Sequence, residues 1–197
     1  MAEEALGPAA VERFLKDRLE DALAVWLEPF VDGKSKRGTK AASGAPASEG
    51  EQVTRMLRPH VKEPSLLIGA GTGAMAAVLG VTRAIESEPW RLAVARAAFP
   101  DMAIGADDFF DVAGSFRTIV VVDYLQGLQK KDGYARMREF FPAAQSRLEL
   151  GGRLLLSDLT AYQDDCVSQL AALDFEIEEI VAVEGHDRMV VVAQKAD

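Results

Sequence analysis

The sequence is short of the residues that staple, anchor or metallate a protein. Its single cysteine, Cys166, excludes an internal disulfide, and its two histidines, His60 and His186, have no other soft ligand at a zinc-binding spacing. Nowhere do 18 apolar residues follow one another, and Met1 to Glu4 place no basic flank ahead of an apolar run, so the expectation is a soluble, cytoplasmic protein without membrane contact. Positive charge is also scarce. Twenty-two Lys and Arg face 31 Asp and Glu, a net charge of −9 that repels a phosphate backbone and disfavours nucleic acid as a partner. The one basic cluster, Lys34, Lys36, Arg37 and Lys40, sits among Gly, Ser and Ala and reads as a solvated linker.

What is present is ordinary for a folded chain: 49% hydrophobic and 27% charged residues over 197 positions, enough for one domain and a short extension. From Pro8 to Val31 apolar residues recur at steps of three and four, which predicts an amphipathic helix whose stripe, including Phe14, Trp26 and Phe30, suits packing, a substrate lid or a homodimer contact. Asp32 to Ala47 has no apolar period and predicts a mobile loop. Ser48 and Glu51 have the spacing of a capping box, which predicts a second helix running to about His60, with His60 as a helix-end residue.

After Pro64 short β-rich runs alternate with helical stretches, the pattern of a parallel sheet with helices on both faces. The predicted strands are 65–68, 82–86, 102–106, 117–122, 153–157, 176–184 and 188–194. Helices are predicted over 88–99, 133–150 and 163–173. Gly185, His186 and Asp187 join the last two strands too tightly for anything but antiparallel neighbours. The reading is therefore an α/β protein with a doubly wound, mostly parallel seven-stranded sheet and a C-terminal antiparallel hairpin. Residues 1–63 form an N-terminal helical extension, and residues 64–197 one cooperative unit.

The run LLIGAGTGA puts Gly69, Gly71 and Gly73 between a buried strand and a helix, where the missing Cβ atoms permit a sharp turn and the following helix offers unpaired N–H groups. Glu86 then stands at the end of the second strand, where a carboxylate can accept both hydroxyls of a ribose. With these residues in view, LLIGAGTGAMAAVLG resembles the first cofactor-binding motif of class I (Rossmann-like) S-adenosylmethionine-dependent methyltransferases. IESEPWRLAVAR is similar to the family's ribose-holding segment, LELGGRLLLSDLT resembles its paired-glycine turn (Gly151, Gly152) and fifth strand, and FEIEEIVAVEGHDRMVVVAQK resembles its closing hairpin.

The resemblance implies S-adenosylmethionine as cofactor. It implies Gly69, Ala70, Gly71 and Gly73 as the cofactor loop, Glu86 at the ribose, Asp107 or Asp108 with Phe109 at the adenine, and Asp123 with Tyr124 at the methionine end. Three positions depart from the family pattern. Leu67 stands where an acid is common, Arg117 where an aspartate is frequent, and the segment from Gly73 to Glu86 is about one helical turn short, which predicts a displaced Glu86. No residue is singled out as catalytic, although Asp123, Tyr124, Asp158 and Tyr162 fall at strand ends where a general base acts. The implied function is methyl transfer to a small molecule or a protein. The alternatives are a catalytically inactive methyltransferase-like scaffold, suggested by Leu67 and the short segment, and an NAD(P)-dependent oxidoreductase, since Gly69, Gly71 and Ala74 also fit a dinucleotide pattern.

Overall fold

The computed structural model describes residues 49–196. The helix expected over Pro8–Val31, the loop over Asp32–Ala47 and the cap residue Ser48 lie outside the described residues. Helix α1 (Glu49–Leu57) carries Glu49 and Glu51 in its first turn, where carboxylates suit the positive end of the helix dipole. Val53 and Leu57, one turn apart, bury its apolar side. A 3₁₀ turn over Arg58–His60 closes it, with His60 at the helix end as the sequence predicts.

The chain then alternates through β1 (Ser65–Ile68), α2 (Ala74–Leu79), β2 (Arg83–Ile85), α3 (Pro89–Ala98), β3 (Ile104–Gly105), β4 (Phe116–Val122), α4 (Tyr124–Arg147), β5 (Leu148–Leu159), α5 (Gln163–Ala172), β6 (Phe175–Ala182) and β7 (Arg188–Lys195). The strands form one sheet in the order β3-β2-β1-β4-β5-β7-β6. Pairs from β3 through β5 are parallel, and β7 runs antiparallel between β5 and β6. This is the mostly parallel seven-stranded sheet with a closing hairpin that the sequence predicts.

Side-chain alternation along the strands divides the core in two. Leu66 and Ile68 of β1, with Ile119 and Val121 of β4, point to one face, where Met137, Phe140 and Phe141 of α4 cover them. Leu67 of β1, Val120 of β4 and Leu155 of β5 point to the other, beneath Leu57 of α1, Leu79 of α2 and Leu92 of α3. Each fully buried aliphatic side chain of this kind stabilises the fold by about 1.5–3 kcal/mol. Leu67 is wholly buried, so its departure from the family's acid adds apolar core instead of a buried charge.

Strand β3 has two residues where five are predicted, and two further elements differ more from the sequence prediction. The fourth helical segment begins at Tyr124 and ends at Arg147, whereas the apolar spacing predicts 133–150; Gly133, at φ 81° and ψ 177°, interrupts it. The earlier start rests on a contact distant in sequence: Asp158, at the end of β5, accepts the N–H groups of Leu125 (3.1 Å) and Gln126 (3.4 Å), capping the first turn from outside. Strand β5 begins before the paired glycines. Leu148 pairs with Phe116 and Arg153 with Thr118, so residues 149–152 bulge opposite Arg117. A Cβ on Gly152 would lie 2.9 Å from the Glu149 carbonyl oxygen, which leaves that position to glycine.

Candidate functional site

From β1 the sheet grows outward through β2 and β3, and the chain then returns to place β4 on the other side of β1. The loops leaving the carboxyl ends of β1 and β4 therefore diverge, and a crevice opens between them, the usual binding position in such sheets. Here it is a cleft of about 660 Å³, within the range of roughly 300–1,000 Å³ typical of small-molecule sites. Its floor is the ends of β1, β2, β3 and β4, and Gly50 and Thr54 of α1 and Gly127 and Leu128 of α4 supply walls.

The glycine loop is pinned by its backbone. The N–H groups of Gly69 and Ala70 both donate to the Ile85 carbonyl at 3.0 Å, and Gly73 N–H donates to Ala70 at 2.9 Å. Gly69 has φ +77°, and a Cβ there would lie 3.1 Å from the Val122 carbonyl oxygen, so only a bare backbone passes over the end of β4. Gly69, Ala70 and Gly71 line the cleft. Gly73 is not among the lining residues: it is buried behind the loop, where a Cβ would come within 2.8 Å of the Phe99 ring, so its part is the close packing of α2 on α3.

Glu86 is 4% exposed, and both of its oxygens are engaged. Oε2 accepts Gly71 N–H at 2.7 Å and Oε1 accepts Glu88 N–H at 2.8 Å. Helix α2, between the loop and Glu86, has six residues. This short preceding segment still leaves Glu86 within hydrogen-bond reach of the glycine loop. This carboxylate orders the loop through Gly71, work for which Leu67 has no polar atom. Each of its oxygens retains acceptor capacity for a further donor.

At the end of β3, Asp107 lines the cleft and ion-pairs with Arg83 of β2 at 2.9 Å. Asp108 also lines it, but Oδ1 accepts Phe110 N–H at 3.0 Å and so caps the 3₁₀ turn over Phe109–Asp111. Phe109 forms part of the lining while remaining 1% exposed. Its ring packs on Phe110 and Phe140 at 5.6 and 5.0 Å, with the Arg147 guanidinium 5.0 Å from its centroid.

Asp123 follows β4 in the left-handed region (φ 55°), its N–H on the Ser157 carbonyl at 3.0 Å and its side chain lining the cleft beside Tyr124. Asp158 and Tyr162, the other candidate bases, do not line it. Asp158 is 1% exposed and committed to backbone N–H groups; burial raises its pKa above the usual carboxylate value, against the pull of those hydrogen bonds. Tyr162 donates to Gln129, and burial likewise raises its pKa. Arg117 lies away from the cleft, at the opposite end of β4, in an exposed ion pair with Glu149.

Several residues at the site carry no sequence signal. Gly50 and Thr54 belong to a helix whose spacing predicts its existence but not its position. Arg188 opens β7 and is 7% exposed. Its guanidinium pairs with Asp123 and with Glu49 of α1. Burial opposes its charge, but the hydrogen bond and charge of Asp123, together with Glu49, outweigh it, and the arginine pKa is raised.

The charge of the lining is one-sided: Glu86, Glu88, Asp107, Asp108 and Asp123 against Arg91. Two of these acids are paired with arginines behind the lining, Asp107 with Arg83 and Asp123 with Arg188, so the unpaired acidic excess rests on Glu86, Glu88 and Asp108. Among the described residues no group of three or more His, Cys, Asp and Glu side chains is placed to hold a metal, and no helix is long and apolar enough to cross a membrane.

No protein-family model matches the chain, and no curated protein matches it. Solved structures do. A methyltransferase from Pyrococcus furiosus superposes with a TM-score of 0.65 at 17% identity, covering 94% of this chain and 98% of that one. The N-methyltransferase NodS from Bradyrhizobium japonicum, in complex with S-adenosyl-L-homocysteine, gives 0.64 at 19% identity, over 75% and 86%. The ribosomal protein L11 methylase from Lactobacillus delbrueckii gives 0.61 at 16% identity, over 78% and 81%. The chain thus has the class I S-adenosylmethionine-dependent methyltransferase fold.

Proposed function

We propose that this protein is an S-adenosylmethionine-dependent methyltransferase acting on a small molecule or a protein. The observation that carries the reading is the pairing of a glycine loop with an acidic cleft at the β1–β4 crevice. S-adenosylmethionine presents a sulfonium and an ammonium, which the acidic excess of the lining favours even after Asp107 and Asp123 are paired with Arg83 and Arg188. The pyrophosphate of a nicotinamide dinucleotide would meet the same charge as repulsion. Solved structures of the same fold, among them the NodS complex with S-adenosylhomocysteine, support the reading.

In this reading the Gly69–Gly71 backbone gives the ligand close approach to the loop, and Glu86 accepts the ribose hydroxyls on the capacity left after Gly71 and Glu88. Asp107 and Asp108 border the adenine with Phe109 beneath, and Asp123 and Tyr124 border the methionine end. The bound cofactor supplies a methyl group already activated on sulfur. The protein's own task is then to hold the acceptor in line and exclude water. Asp123 and Tyr124 are the candidate bases that line the cleft.

Calorimetric titration tests this directly. S-adenosylmethionine and S-adenosylhomocysteine should give saturable heat, and NADH and NADPH none. Glu86→Ala should weaken S-adenosylhomocysteine by about tenfold or more, the loss of hydrogen bonds to a charged group being worth roughly 1.5–3 kcal/mol. A folded protein that gives no heat with either sulfur compound would refute the cofactor reading. Binding without transfer of radiolabelled methyl to any component of a native extract would leave a binding protein in place of an enzyme.

A further inference from the structure

A buried charge that does not line the cleft joins residues on two of its walls. Arg188 is the first residue of β7, paired in register with Leu159 at the end of β5. Its Nη2 donates to Asp123, and its Nε side lies against a Glu49 carboxylate oxygen; Nη1 faces the Ser157 carbonyl at 3.4 Å. The second Glu49 oxygen is 3.2 Å from Nδ1 of His186, two residues before Arg188. Glu49 directly precedes Gly50, which lines the cleft from α1, and Asp123 directly precedes Tyr124, which lines it from α4. One buried guanidinium therefore ties together two walls of the cleft that share no backbone hydrogen bonding.

Stability alone does not account for this arrangement. A buried ion recovers its lost hydration only through well-made pairs, and an apolar side chain of similar size often stabilises as well or better. What the guanidinium adds is geometry. Its planar fork fixes the Asp123 carboxylate in direction as well as distance, which an ammonium or an apolar group does not, while Glu49 is held by charge alone. Asp123 needs such a constraint: it holds a left-handed backbone conformation, its side chain is 60% exposed, and Arg188 is its ion-pair partner.

We propose that Arg188 is a positioning residue, which holds the Asp123 carboxylate and the Glu49 end of α1 in fixed relation and so shapes the end of the cleft where the cofactor's amino-acid tail and the methyl acceptor meet. The assignment rests on the cofactor reading above. It separates the cleft into an adenosine end, built without Arg188, and a tail end that depends on it.

Two ligands distinguish these ends: S-adenosylhomocysteine, which carries the amino-acid tail, and methylthioadenosine, which keeps the adenosine and sulfur but lacks it. Arg188→Gln should weaken S-adenosylhomocysteine about tenfold and leave methylthioadenosine within about twofold, since only the first reaches the constrained end. Arg188→Lys should recover part of the loss, having the charge without the fork. Glu49→Gln should give a smaller loss of the same selective kind. Asp123→Asn should cost affinity in the unaltered protein but little further in the Arg188→Gln background, the non-additivity of a shared contact. If Arg188→Gln weakens both ligands alike or neither, or if the two substitutions add, the assignment is overturned while the cofactor reading stands. If the unaltered protein binds neither ligand, the cofactor reading falls and this assignment with it.

Discussion

At the β2 side of the cleft the decisive contacts run over short stretches of chain and end on backbone: Glu86 reaches Gly71 N–H 15 residues back and Glu88 N–H two residues on. At the β4 side they run between side chains from distant elements: Arg188 reaches Asp123 65 residues back and Glu49 at the start of α1, while Asp158 reaches the first turn of α4 33 residues back. The first half is a local fold of one βαβ unit. The Arg188 contacts of the second exist only because β7 is inserted antiparallel between β5 and β6, which brings Arg188 level with the end of β5. Substitutions should therefore act differently on the two, through backbone strain in one and through uncompensated polar groups in the other.

The largest effect is expected at Gly73. Gly73→Val places a branched side chain at φ +89° with Phe99 2.8 Å away. Backbone strain of about 1–3 kcal/mol and overpacking of similar size should together lower stability by about 3 kcal/mol or more in a urea titration. A loss below about 1 kcal/mol would show that the glycine loop is less rigidly packed than the comparison requires.

In the other half, Asp158→Ala leaves the Leu125 and Leu159 N–H groups without their acceptor and should cost about 1–3 kcal/mol, with Asp158→Asn costing less. The sign of its pH dependence follows from burial, which raises the folded pKa of Asp158 above the unfolded value of about 3.9. This group's contribution is therefore full below the unfolded value and declines as pH rises through the folded one. Urea titrations between pH 3 and 7 should show that decline as a shift of the unaltered protein's stability relative to that of Asp158→Asn as pH rises.

Cys166 offers the smallest effect and a control lying in neither half. Burial pushes its thiol up to about 12, with Asp158 and Asp165 adding to the shift, and the side chain is fully buried in the α4–α5 face of the core. A thiol reagent should label it on the order of a hundredfold more slowly in the folded protein than in urea. Its contribution to stability is complete below the unfolded value of about 8.5 and is lost as pH rises toward 12. Rapid labelling of the native state would mean that this face opens more readily than the cleft wall it supports.

The contrast between the halves also explains what could be read in advance. Gly69, Gly71 and Glu86 were legible because a strand, a tight turn and a strand end leave compositional marks within 20 residues of one another. The first five strands were legible because buried parallel strands are short apolar runs, and the last two because Gly185 to Asp187 join them by a tight turn. Helix α4 was only half legible, since residues 124–132 have no apolar period and their helical start depends on Asp158. Arg188 left no mark at all. An arginine opening a strand ordinarily reads as a solvated end, and only the register of β7 against β5 turns it inward.

The amino-acid sequence by itself determined the order of elements, the place of the glycine turn and the hairpin that closes the sheet, because local sterics and hydrophobic period act over a few residues. The tertiary structure alone decided that the short α2 still leaves Glu86 on the loop, that Leu67 belongs to the core, and that one buried guanidinium joins two walls of the cleft. Those outcomes depend on packing and desolvation between separate elements, and neither acts until those elements have come together.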